Sequence, residues 1–214
     1  SFKSSNLASL VNYENDKFTL RAFDNLKGYI VEIEKNKNKP ISVLLNNKKI
    51  TTSKLIKEFP CTPIHNNTFS FADASPDFRR KLLDRSIFIS EKSFSECWFS
   101  YYRSLKQRNS ILKNNRISDI YTWNTKLSDE GIKLNNMRKN FFTKTKNEFY
   151  YLIDLIQPSS VFDFFNLIEI DFFRGWDENK NLNDLLQENQ DIDLKRKSTT
   201  QGPHKSDIKF LINN

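Results

Sequence analysis

Residues 94–114, FSECWFSYYRSLKQRNSILKN, carry the reading that decides the fold. Phe94, Trp98, Tyr101, Leu105 and Leu112 recur at steps of four, three, four and seven. That heptad-like stripe predicts a long amphipathic helix from about Glu91 to Asn114. A second long helix is predicted from about Ile120 to Ile156, with Leu127, Leu134 and Phe141 seven apart. A short polar link, Asn114 to Ser118, should fold the two into an antiparallel hairpin. The basic residues then lie on its outside.

Upstream, Ser75-Pro76 is a helix-start signal: the hydroxyl caps an orphan amide and proline suits the first turn. The helix that follows should bury Phe78, Leu82, Leu83 and Ile87. Before it, Phe18–Phe23 alternates apolar and polar residues, as a half-buried strand does. Gly28–Glu34 and Pro40–Leu45 are further strand candidates, and Asn46-Asn47 stands where a tight hairpin turn would go. A short helix is expected over Ser53–Phe59. Downstream, Pro158-Ser159-Ser160 should end the hairpin. Phe164–Phe173 reads as a strand, Leu182–Gln190 as a short polar helix and Ile208–Ile212 as a last strand. The fold class is α/β, or α+β within this stretch of chain.

The chain has 214 residues and a net charge of +8, enough length for a real core. Its 28% charged and 37% apolar residues read as globular rather than disordered. No apolar run approaches the roughly 18 residues of a membrane span, and no signal-peptide pattern opens the chain. Cys61 and Cys97 have no metal-ligand spacing and read as reduced thiols of a cytosolic protein. The acidic residues show no metal-cluster spacing either. Between Ser100 and Tyr150, eleven Lys and Arg stand against four Asp and Glu, nearly the whole net charge. Such a stretch is either a solvated helix face or a surface for a polyanion. The chain opens on Ser1 without an initiator methionine and stops at Asn214 after a strand-like run, so it is expected to be part of something longer.

Three blocks resemble RecF proteins. The first is Ser75-Pro76-Asp77-Phe78-Arg79-Arg80-Lys81-Leu82-Leu83-Asp84-Arg85. The second is Leu105-Lys106-Gln107-Arg108-Asn109 with Leu112, followed by Trp123. The third is Arg174-Gly175-Trp176 with Thr199-Thr200-Gln201-Gly202-Pro203-His204-Lys205-Ser206-Asp207. Ser1-Phe2-Lys3 also resembles a short segment of that family. The resemblance covers nearly the whole chain. It implies part of an ATPase head like those of ABC and SMC proteins, with an inserted helical lobe. Residues 1–74 and 198–214 would belong to the head and 75–197 to the lobe. The phosphate-binding loop would lie upstream, and the ATPase signature and its carboxylate strand downstream. Where the family has Pro and Glu before the first block, this chain has Pro63-Ile64-His65-Asn66-Asn67. Thr62 stands near the position of a magnesium-sensing glutamine.

By the same resemblance the intact protein binds ATP with magnesium, hydrolyses it weakly and dimerises head to head on it. It would bind single-stranded and gapped duplex DNA with RecO- and RecR-type partners. Its setting would be gap repair, replication restart and the SOS response in the cytoplasm. The rival readings are a stand-alone basic DNA-binding module and an interaction domain for an acidic protein.

No window holds the glycines, lysine and hydroxyl residue of a phosphate loop, so no nucleotide, catalytic or metal site is expected within the chain. Gly202, His204 and Lys205 could face nucleotide or a partner subunit, or could simply set a turn. The candidate DNA-contacting residues are Arg79, Arg80, Arg103, Lys106, Arg108 and Lys113. Arg79 and Arg80 oppose the helix dipole unless paired with a phosphate or an internal carboxylate such as Asp84. Lys106 and Arg108 could touch phosphate or pack against the neighbouring helix. Trp98, Trp123 and Trp176 read as core rather than as platforms for bases.

Overall fold

The computed structural model describes residues 6–61, 71–115, 117–156 and 167–212. Expectations for Ser1–Lys3, Thr62–Asn67, Pro158–Ser160 and Phe164 fall outside them. The chain divides into two compact units, Ser1–Thr62 and Pro63–Asn214.

The first unit is an antiparallel sheet of four strands in sequence order: β1 (Lys17–Asp24), β2 (Tyr29–Asn36), β3 (Ser42–Leu45) and β4 (Lys48–Ile50). Asn46 and Asn47 make the β3–β4 turn with φ of 48° and 62°. Two successive positive φ values match the right-handed twist of a two-residue hairpin, and asparagine tolerates them. β4 itself was not foreseen, because Lys48-Lys49-Ile50 is too short and polar to show a period. Helix α1 (Thr52–Glu58) starts where the Thr51 hydroxyl accepts from the Lys54 amide at 3.2 Å. Alternation in β1 predicts a half-buried strand, yet on its apolar row Leu20 is 60% exposed and Ala22 is exposed as well. Val31 and Val43 on the inner strands are buried instead.

The second unit holds α2 (Pro76–Ser90), α3 (Phe94–Asn114), α4 (Ile120–Ile156), β5 (Ile168–Phe173), α5 (Leu182–Glu188), α6 (Gln190–Arg196) and β6 (Asp207–Ile212). The Ser75 hydroxyl caps α2 by accepting from the Phe78 amide. α3 and α4 form the expected antiparallel hairpin: Ser100 and Ser104 bond Glu130, and Arg108, nearer the turn, bonds Asn124. Asn115, in the left-handed region at φ 54°, ends α3. β5 and β6 pair antiparallel from Ile168↔Ile212 to Phe173↔Asp207. β5 alternates as expected, with Ile170 and Phe172 buried and Glu169 and Asp171 outward. Tyr101, Leu127, Leu134, Trp176, Leu182 and Leu186 lie in the core between the helices.

Three local expectations need correction. On α2 the buried apolar residues are Leu83 and Ile87, while Phe78 is 51% exposed and Leu82 lies at the rim. The inward row is Arg79-Leu83-Ile87, because polar partners hold Arg79 there. On α4 the stripe passes from Leu127 and Leu134 to Phe142, with Phe141 only half-buried. A straight helix drifts about 20° per heptad, so a strict seven-residue step leaves the core after two repeats. The short helix expected over Leu182–Gln190 is present as α5 but stops at Glu188, and a further helix that was not expected, α6, follows it. The two are separated at Asn189, whose side-chain amide donates to the Leu185 carbonyl at 2.9 Å.

Candidate functional site

The three motif blocks meet in one buried polar network around the loop 199–207. Arg108 stands on the stripe side of α3, seven residues after Tyr101 and four before Leu112, and is 0% exposed. Its Nε donates to Asn124 Oδ1 at 2.7 Å. Nη1 donates to Asp193 Oδ2 at 2.6 Å and to Thr199 Oγ1 at 2.8 Å, and Nη2 to the Leu186 carbonyl at 3.0 Å. Burial pulls the guanidinium below its ordinary pKa, and Asp193 opposes that pull. Asp193, also 0% exposed, turns its other oxygen to the amide and hydroxyl of Thr200. Asn109 Oδ1 takes the amide and hydroxyl of Thr199. Of the LKQRN run, then, Leu105, Arg108 and Asn109 build the interior, while Lys106 and Gln107 face water.

A second knot lies one turn of loop further on. Arg138 from α4 forks both oxygens of Asp84 at 2.8 Å and gives Nη1 to the Pro203 carbonyl at 2.6 Å and to Ser206 Oγ at 3.1 Å. Trp98 Nε1 donates to the same Asp84 at 2.9 Å. Arg79 makes a two-point pair with Asp207 at 2.8 Å and also reaches the Ala72 and Ala74 carbonyls. Arg80 gives Nη1 to the Ser206 carbonyl at 2.7 Å and lies 3.7 Å from Asp77. The internal carboxylates that answer Arg79 and Arg80 are thus Asp207 and Asp77; Asp84 belongs to Arg138.

The Gly202–Lys205 turn is set from within. Gly175 (φ 98°) and Gly202 (φ 130°) adopt backbone conformations that side chains disfavour. They also touch: the Gly202 amide donates to the Gly175 carbonyl at 3.1 Å, and a Cβ on Gly175 would stand 2.2 Å from the Gly202 carbonyl oxygen. His204 Nε2 donates to the Thr199 carbonyl at 2.9 Å, which leaves Nδ1 to accept from the Tyr101 hydroxyl at 2.7 Å. Burial favours this neutral ring and lowers its pKa to about 4. The Tyr101 hydroxyl, fully buried, is pushed above its ordinary value. Lys205 alone of the turn is exposed.

Arg103, Lys106 and Lys113 are exposed on the opposite side of α3, and Lys106 and Lys113 line an open groove with Tyr102, Leu105, Asn109 and Ser110. Trp176 is buried under Arg174, whose guanidinium lies 4.4 Å from the ring centre. Trp98 and Trp123 are half-buried. The residues that sequence reasoning missed are Tyr101, Asn124, Arg138 and Asp193. A signal existed for two of the network's cations. Arg108 follows Tyr101 and Arg138 follows Leu134 at stripe spacing, so both stand where a core residue belongs.

The residues present do not form an ATP site of the P-loop kind. Such a loop uses glycines to bring several backbone N–H groups to one phosphate at a helix start. Here Gly28 turns a hairpin, Gly131 lies inside α4, and Gly175 and Gly202 face each other. Among the described residues no group of three or more His, Cys, Asp or Glu could hold a metal. None of the described helices is long and apolar enough to cross a membrane.

No protein-family model matches the chain. Along 99% of its length it is 31% identical to the DNA replication and repair protein RecF of Francisella tularensis subsp. tularensis (strain WY96-3418). The RecF proteins of subsp. mediasiatica (strain FSC147) and subsp. novicida (strain U112) match equally, at 31% identity over 99% of the chain. These matches support reading the chain as a fragment of a RecF protein. It spans 60% of the length of these relatives. The fold agrees: two solved structures of the recombination mediator protein RecF of the RecFOR pathway, described as RecF-ATP and RecF-ATPrS, superpose with a TM-score of 0.75. Both are 24% identical and cover the whole chain and 60% of the RecF chain.

Proposed function

We propose that the chain supplies the DNA-contacting part of a RecF-like recombination mediator, and that the contact runs along the outer face of α3. The observation that carries this is the row Arg103, Lys106 and Lys113, exposed on one helix face while Arg108 is consumed inside. Exposed cations in a line suit a phosphate backbone, which rewards each neutralised phosphate by releasing a counterion. Arg79, Arg80 and Arg108 are bonded to protein groups and serve the framework in this reading. We further assign residues 1–74 and 198–214 to an ATPase head and 75–197 to its helical lobe. The intact protein then acts in the cytoplasm as an ATP-regulated, head-to-head dimer with magnesium. It works on single-stranded or gapped DNA with RecO- and RecR-type partners, in gap repair, replication restart and the SOS response. ATP is held by segments other than these 214 residues.

The test is DNA affinity of the intact protein as a function of salt. Arg103→Ala/Lys106→Ala/Lys113→Ala should flatten the slope of log affinity against log salt by about 2 for single strands. An unchanged slope and affinity in the triple variant sinks the assignment.

A further inference from the structure

We propose that Phe99 is a base-stacking residue that gives the basic face of α3 a preference for single-stranded over duplex nucleic acid; this rests on the reading of α3 as the DNA-contacting face. Phe99 is 63% exposed. With about 100° per residue, Arg103, Lys106, Ser110 and Lys113 all fall within about 40° of its direction around the helix. Arg108, the most deeply bonded residue of α3, lies about 180° away. Phe99 therefore occupies the middle of the polar face, at the N-terminal end of a row whose other members are cationic or hydroxylic. Scattered exposed apolar residues are normal on proteins. An aromatic ring in line with three cations is a more particular arrangement, because it joins the two components of single-strand binding.

The ring is also backed. It stands perpendicular to the Trp98 ring at 5.3 Å between centres, and Trp98 is held by its indole N–H on Asp84. By helical rise Arg103 is about 6 Å and Lys113 about 21 Å further along the axis. A strand laid on this face would meet cations and the Ser110 hydroxyl at its phosphates and Phe99 beside a base. In a duplex the base faces are already stacked, so the ring gains nothing there. In a single strand they are open to any aromatic surface. Glu96, exposed one turn before Phe99, bounds the row at that end.

The test uses the intact protein and three probes of equal length: oligodeoxythymidine, an abasic strand with the same backbone, and a duplex. Phe99→Ala should weaken oligodeoxythymidine binding on the order of tenfold and leave the abasic strand and the duplex unchanged, while Phe99→Trp keeps the wild-type value. An equal loss on all three probes, no loss on oligodeoxythymidine, or full retention by Phe99→Leu overturns the proposal. Arg103→Ala/Lys106→Ala/Lys113→Ala is measured in parallel: if it binds like wild type, the α3 reading itself fails, whereas a weakened triple with an unaffected Phe99→Ala removes Phe99 alone. The thermal midpoint of Phe99→Ala should match wild type, since so much of the ring is exposed.

Discussion

The two faces of α3 use the same kind of residue in opposite ways. Inward, Arg108 spends its donors on Asn124, Asp193, Thr199 and the Leu186 carbonyl, none of them water. Outward, Arg103, Lys106 and Lys113 keep their charge in solvent. The most specific sequence pattern in the chain, from Thr199 to Asp207, turns out to answer the inward face. Tyr101, Arg108 and Asn109 reach it from α3, Arg138 from α4, and Arg79 and Arg80 from α2. A motif that identifies a family can therefore be a fastening. The surface that meets a partner can be plain lysine and arginine.

The comparison breaks most sharply at Arg108. Arg108→Met leaves Asp193 buried and uncompensated, which should cost about 3–5 kcal/mol. A urea titration followed by circular dichroism reads it. Adding Asp193→Asn removes the stranded charge and should recover part of the loss. A single variant as stable as wild type would mean that the inward arginine is not bonded as described.

Protonation tests the same face without touching α3. His204 is held neutral, with a pKa of about 4 against an ordinary 6.5. The unfolded chain takes up its proton as pH falls below 6.5, and the folded chain does so only near 4. Stability is therefore complete above pH 6.5 and declines toward pH 4, by of order 3 kcal/mol from this one group. His204→Gln should flatten the stability-against-pH curve across that window relative to wild type. Parallel curves would refute the buried, neutral ring.

Much of this architecture was legible before any coordinates. The Ser75 cap, the α3–α4 hairpin, the Asn46-Asn47 turn and the β5 alternation are local signals, and each is set by neighbours in sequence. What escaped was the pairing of charges distant in the chain. Asp84 looked like the natural partner for Arg79 and Arg80 on the same helix. It is taken by Arg138, 54 residues away, while Arg79 reaches Asp207 across 128. Only the packing of α2 between α4 and β6 decides that choice. The charge count treats the basic stretch as one surface, although Arg138 belongs to its interior, and so does Arg108, for which packing against the neighbouring helix is the alternative that holds. Their stripe positions carried that information, but charge counting hid it.

Thr199 refines the inward side at a smaller scale. Its hydroxyl donates to Asn109 and accepts from Arg108, and both partners are largely withdrawn from water. Thr199→Val keeps the shape and removes both bonds. The expected loss is about 1–3 kcal/mol, the cost of leaving buried polar groups short of a partner. Thr199→Ser should retain most of the stability, and the two midpoints measured side by side separate hydroxyl from methyl.

The smallest effect belongs to the outer face, and it is the one that makes the contrast quantitative. Each of Arg103→Ala, Lys106→Ala and Lys113→Ala should change stability by less than about 0.5 kcal/mol, the usual range for surface positions away from special features. Removing three like charges from one row also relieves some repulsion, so the triple variant should unfold at nearly the wild-type urea concentration. Arginine to alanine at 103 and arginine to methionine at 108 would then differ several-fold in cost, five residues apart on one helix. A triple variant as destabilised as Arg108→Met would show that the outer row packs against something in the folded protein, and the division of α3 into a framework face and a contact face would have to be abandoned.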